Sequence, residues 1–161
     1  MMTGTHLALS REDAKLVFGR REPHTLRELL CDELLSRPAG ETRRDCEDWE
    51  RLHRILTDGS MSSEAGEYPL NQCFLGGRPL DAGGTSVVNM VRPDSVPHVA
   101  AALQDFAAES VSSRLEMLPP DYRGARDEEA AAQVATDIAE LAEFFRAAAE
   151  QQQAVLFVSL N

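Results

Sequence analysis

His53 is the residue best placed to do chemistry in this chain. An imidazole can act as acid, base or metal ligand near neutral pH. It stands one helical turn after Trp49, the only tryptophan. Cys46, Trp49, Leu52, His53 and Leu56 recur at the spacing of one helix face. A helix is therefore expected from about Asp45, with acids at its start and Gly59 as its stop. Two readings of His53 follow. In one, the ring lines a cleft beside Trp49 and takes part in binding or catalysis. In the other, it is a core histidine whose ring nitrogen bonds a backbone carbonyl or a loop carboxylate, and the apolar face favours this. Gly76 and Gly77 could approach a phosphate closely, as could Gly83 and Gly84, but turns need glycines without any ligand. Trp49, His53, Gly76 and Gly77 are thus the candidate ligand-binding residues. No companion for catalysis is evident. His6, His24 and His98 are scattered, and Ser60, Ser62 and Ser63 beside Glu64 and Glu67 read as solvated loop. Thr57 and Asp58 suit capping of the helix end or of the turn after it. Phosphate-loop, dinucleotide, zinc-protease and nucleophile-elbow motifs are missing, so neither cofactor nor metal is expected.

Several elements must position these residues. Thr3 to Leu9 reads as a short strand, with Ser10 as N-cap of a helix that turns Leu16 and Val17 inward and stops at Gly19. Thr25-Leu26-Arg27-Glu28 has the form of a capping box, opening a helix with Leu26, Leu29, Leu30 and Leu34 on one face. Asp58 to Glu67 is a polar loop. Pro69 and Leu70 begin a short helical piece carrying Cys73, Phe74 and Leu75. Ser86 to Val91 reads as a strand, with Val87, Asn89 and Val91 on one face and Val88 and Met90 on the other. A helix carrying Val96, Val99, Ala100, Leu103 and Ala107 follows, with Pro97 confined to its first turn. Val111, Leu115 and Leu118 continue the period to Pro119-Pro120. Asp127 then caps the longest helix, which runs to about Gln151. Ala154 to Leu160 is apolar on both faces and reads as a strand buried in mid-sheet. The expected fold is α+β, two-layered and helix-dominated, a single domain over residues 1–161 with both terminal strands in one small sheet.

The net charge of −11 argues against nucleic acid and anionic membranes as partners and permits a partner with a basic surface. Cys31, Cys46 and Cys73 are too widely spaced for a zinc site or a disulfide framework and are expected to be free, buried and apolar in role. The amino terminus, Met1 to His6, lacks a signal pattern, and no apolar run could span a bilayer. A reduced, cytoplasmic location is therefore expected.

The chain resembles the YfbM-like proteins, small bacterial α+β proteins of uncharacterised function. Four features carry the resemblance. One is the first strand followed by Ser10-Arg11-Glu12-Asp13. The second is Trp49-x-x-Leu52-His53-x-x-Leu56-Thr57-x-Gly59, the specific one. The others are Pro69-Leu70 leading to Leu75-Gly76-Gly77, and Gly83-Gly84 followed by a strand, Pro93, a helix with Val96 and a last helix ending in an apolar strand. The chain departs from the family pattern at Cys46-Glu47-Asp48, where relatives usually carry an acidic–lysine pair, and at Gly84, where an aromatic is frequent. The resemblance implies a fold and no reaction. With no catalytic motif, the reading for function is a non-catalytic protein-interaction module, in one version antitoxin- or immunity-like. The alternative is a small-ligand-binding protein or enzyme with a cleft near Trp49 and His53.

Overall fold

A computed structural model describes residues 3–161; Met1 and Met2, which the reading of the amino terminus includes, lie outside the described residues. Five strands form one antiparallel sheet: β1 (Gly4–Leu9), β2 (Arg43–Cys46), β3 (Arg78–Pro79), β4 (Val87–Val91) and β5 (Ala154–Ser159), in the order β2-β1-β5-β4-β3. Every residue of β1 and β5 is buried, as expected of strands apolar on both faces and held mid-sheet.

The helices are α1 (Arg11–Gly19), α2 (Pro23–Leu29), α3 (Trp49–Leu56), α4 (Val96–Asp105), α5 (Val111–Glu116) and α6 (Glu128–Glu150). Ser10 accepts the Asp13 amide at 3.1 Å and Asp127 accepts the Ala130 amide at 2.9 Å, so α1 and α6 start where their caps stand. Among the described residues, no helix is long and apolar enough to cross a membrane.

The α+β, helix-dominated fold with both termini in one sheet is what the structure shows, and its layering is fuller than expected. Helices α3 to α6 cover the face bearing Ala8, Val91, Val155 and Phe157. A smaller set, α1 and α2, covers the face bearing Leu7, Leu9, Val88, Met90, Leu156 and Val158. After α2 the chain widens into a π-helical turn, Leu30–Leu34, which keeps Leu30 and Leu34 buried in that second core.

Several expectations are corrected. Asp45 and Cys46 lie on β2, not on the tryptophan helix: Gly4 faces Cys46 in register, and the Thr5 hydroxyl donates to Asp45 Oδ1 at 2.8 Å. A three-residue spacing from Cys46 to Trp49 fits a helix, but the open edge of β1 takes this stretch as a strand. Leu16 is 45% exposed. Helix α2 begins at Pro23, whose ring suits a first turn, and Thr25 donates its hydroxyl to the Glu22 carbonyl instead of capping. Ala107 lies exposed beyond the end of α4. Cys31 is exposed, while Cys46 and Cys73 are buried; all three are free.

Candidate functional site

The register of the sheet sets out a row of side chains, with His6 on β1 opposite Phe157 on β5, and Phe157 opposite Asn89 on β4. All three point to the face that α3 and α6 cover. Two of them are polar, and the segment between Gln72 and Arg78 lies across them. His6 Nε2 meets the Cys73 carbonyl at 2.7 Å, and Asn89 Nδ2 donates to the Phe74 carbonyl at 2.9 Å. A carbonyl only accepts, so Nε2 carries the His6 proton and Nδ1 is the bare lone pair. Thus two sheet residues grip consecutive carbonyls of one irregular segment, satisfying groups that otherwise would be costly to bury.

Around His6 stand four phenylalanine rings, with Phe74 and Phe157 at 5.0 Å, Phe145 at 5.8 Å and Phe144 at 6.1 Å between centroids. The ring is fully buried, and its Nδ1 has no hydrogen-bond partner among the described residues. Burial disfavours the charged form and lowers the pKa to about 4; the Cys73 carbonyl opposes this, and the Arg44 guanidinium adds to it. His6 is therefore neutral at pH 7.

Trp49 packs against Phe157 at 5.0 Å and Phe74 at 6.2 Å. It can do so because β1 has a glycine beneath it: a Cβ on Gly4 would stand 2.6 Å from Phe157 and 2.7 Å from Trp49. One helical turn on, His53 meets Phe74 edge-on at 6.5 Å, and its Nε2 donates to the Ser62 carbonyl at 3.0 Å. Burial lowers its pKa, against the raising pull of the Ser62 carbonyl and Asp58. The helix end is closed by Thr57, whose hydroxyl donates to the His53 carbonyl at 2.6 Å. Asp58 accepts the Ser60 amide at 2.9 Å and hydroxyl at 2.7 Å, which together hold its carboxyl below the usual range.

The sequence candidates do not share a cleft. Trp49 and His53 are 3% and 1% exposed. Gly76 and Gly77 line a separate surface cleft with Ser63, Leu75 and Asn89. A Cβ on Gly76 would collide with the Asn71 carbonyl, and one on Gly77 would come 2.8 Å from the Met90 carbonyl. These glycines let two backbones touch. Among the described residues, no group of three or more His, Cys, Asp or Glu side chains is arranged to hold a metal ion.

Sequence reasoning missed His6, although the strand alternation put it on the face of Gly4 and Ala8. It also missed Arg54, 7% exposed, which donates to the Gly59 carbonyl at 3.0 Å and to both oxygens of Asp121 at 3.3 and 3.0 Å. Arg54 thereby ties the end of α3 to the loop before α6. No local pattern marks it, because an arginine on a helix usually faces solvent.

A family model described as "Domain of unknown function (DUF1877)" matches residues 1–158. The fold is similar to the crystal structure of YfbM from Escherichia coli, itself described as a protein of unknown function. The two share 17% sequence identity with a TM-score of 0.74, over 99% of this chain and 100% of that one. At that identity the likeness speaks for the fold. No curated protein matches the sequence significantly.

Proposed function

The chain belongs to the DUF1877 family, and from that premise we propose that it works as a non-catalytic protein-interaction module whose partner presents a basic surface. The observation that carries this reading is a cleft of about 340 Å³ between α4, α5 and α6. Leu103, Phe106, Val111, Ile138 and Ala142 give it an apolar floor. Asp105 and Glu109 stand exposed beside its rim, while Glu143 at the rim is paired with Arg146, which also lines the cleft. An apolar slot with the carboxylates of Asp105 and Glu109 beside it suits a protein segment bearing an apolar side chain next to a cation. An immunity- or antitoxin-like protein covering a basic partner is one form of this role. The burial of Trp49 and His53 supports it from the other side, since the groups with most chemical capacity are engaged in the core.

The test is capture of the tagged chain from its own cells, followed by mass spectrometry of what remains bound. A stoichiometric protein rich in surface cations is expected. It should be released by Ala139→Arg, which puts a cation on the exposed wall of the cleft at little cost to the helix. Retention of a small metabolite with no protein would overturn the reading.

A further inference from the structure

On the opposite side of the sheet from that cleft, an acidic protein carries a basic cap. Arg11, Lys15, Arg20 and Arg21 lie on and just after α1, and Arg78 comes from β3; all five are exposed. No side chain among them makes a hydrogen bond or ion pair among the described residues, a state that only Arg123 shares among the other arginines. Elsewhere the arginines are engaged: Arg44 with Glu140, Arg54 with Asp121, and Arg126 with the carbonyls that close α5. One exposed large apolar side chain lies within the cap: Phe18 is 39% exposed under the Arg78 guanidinium at 5.2 Å. Arg11, Lys15 and Phe18 follow at i, i+4 and i+7, one stripe along a helix about 13 Å long.

Local stability does not account for this gathering. Arg20 at the end of α1 is favoured by the helix dipole, but Arg11 in its first turn is disfavoured, and Arg78 belongs to another element. Of the nearby acids, Asp13 is held by Arg37 at 2.9 Å, and Asp94, which shares a cleft with Arg11, lies 3.6 Å from Arg92, leaving Glu12, Glu22 and Asp81 against five cations. We infer that this cap docks an acidic, apolar-studded segment of a partner protein, its carboxylates meeting the arginines and lysine and an apolar side chain meeting Phe18. This rests on the reading of the chain as an interaction module and gives that module a second face. A peptide meets only the cap, whereas an anionic membrane would also meet the repulsion of a chain with net charge −11. A second copy is the less apt occupant: its acidic rim lies on the other side of the sheet, so the contact would be head-to-tail and would build a ring or filament, not a two-fold dimer.

The probe is a fluorescein-labelled peptide with glutamate and leucine at helical spacing, titrated with the full-length chain and followed by anisotropy. Binding is expected, weaker by at least about tenfold in Arg20→Glu/Arg78→Glu and falling as salt rises from about 50 to about 300 mM. Phe18→Ala should weaken it as well. Far-ultraviolet circular dichroism of each variant should match the parent, since the altered side chains are exposed; Lys15→Glu serves as a second charge reversal if either does not. No binding, equal binding of a lysine–leucine peptide, or indifference to both reversals would overturn the inference. So would charge-sensitive sedimentation with phosphatidylserine vesicles in place of peptide binding, which assigns the cap to lipid. Self-association in sedimentation velocity that the same reversals abolish would assign it to a second copy, again overturning the inference. Failure here with a cation-rich partner still captured and still released by Ala139→Arg would leave the module reading standing.

Discussion

Acidification from about pH 6.5 to about pH 4 should destabilise this protein through His6. In the folded chain His6 titrates at about 4 because its ring is wholly buried among phenylalanines. In the unfolded chain it should titrate near the ordinary value of about 6.5. Between these two values the unfolded state binds a proton that the folded state excludes, so stability rises with pH across the window. The stabilisation is complete above about pH 6.5 and is lost progressively down to about pH 4. A span of about 2.5 pH units at 1.36 kcal/mol each gives a loss of about 3.4 kcal/mol, a large share of a typical domain's stability. The assay is urea denaturation at a series of pH values, followed by Trp49 fluorescence, since the single tryptophan is 3% exposed. His6→Gln supplies the reference. Its amide nitrogen can donate to the Cys73 carbonyl as Nε2 does, and it does not titrate. His53, whose pKa burial also lowers, contributes with the same sign in both proteins and cancels in the difference. Stability curves that run parallel for the parent and His6→Gln between pH 6.5 and 4 would refute the account of His6 as a buried neutral ring.

Three further outcomes can be checked by simple means. His53→Ala should lower the melting temperature by several degrees, because it removes packing and the bond to the Ser62 carbonyl; His53→Gln should recover part of that loss, and a variant melting at or above the parent would restore the case for a functional ring. In the native protein a thiol reagent should label Cys31 quickly, and Cys46 and Cys73 only on unfolding, since burial raises both their pKa values and Cys73 is inaccessible. Gly4→Ala should cost about 1–3 kcal/mol in a denaturation experiment, because its methyl would press Phe157 and Trp49 apart; an unchanged midpoint would mean the indole sits elsewhere.

The sequence alone determined what repeats at short range. The two-sided apolar run of β5 meant a strand in mid-sheet, and the alternation of β4 assigned Asn89 to the face of Val87 and Val91. Asp127 marked the start of α6, and the spacing of Trp49, Leu52, His53 and Leu56 put all four inside. Each of these follows from one side chain's position relative to its near neighbours, which helix and strand geometry convert directly into a face. The tertiary structure decided the rest. Arg43-Arg44-Asp45-Cys46 is a strand only because β1 offers it an open edge, a fact no local pattern contains. His6 is a clamp and not a stray histidine because a carbonyl 67 residues away is brought to 2.7 Å from its ring. Gly4 is required only once Trp49 lies over it, and the cations of α1 become a cap only when β3 adds Arg78 beside Phe18. Pairings between distant segments depend on which groups burial leaves in need of a partner, and that is settled when the whole chain packs.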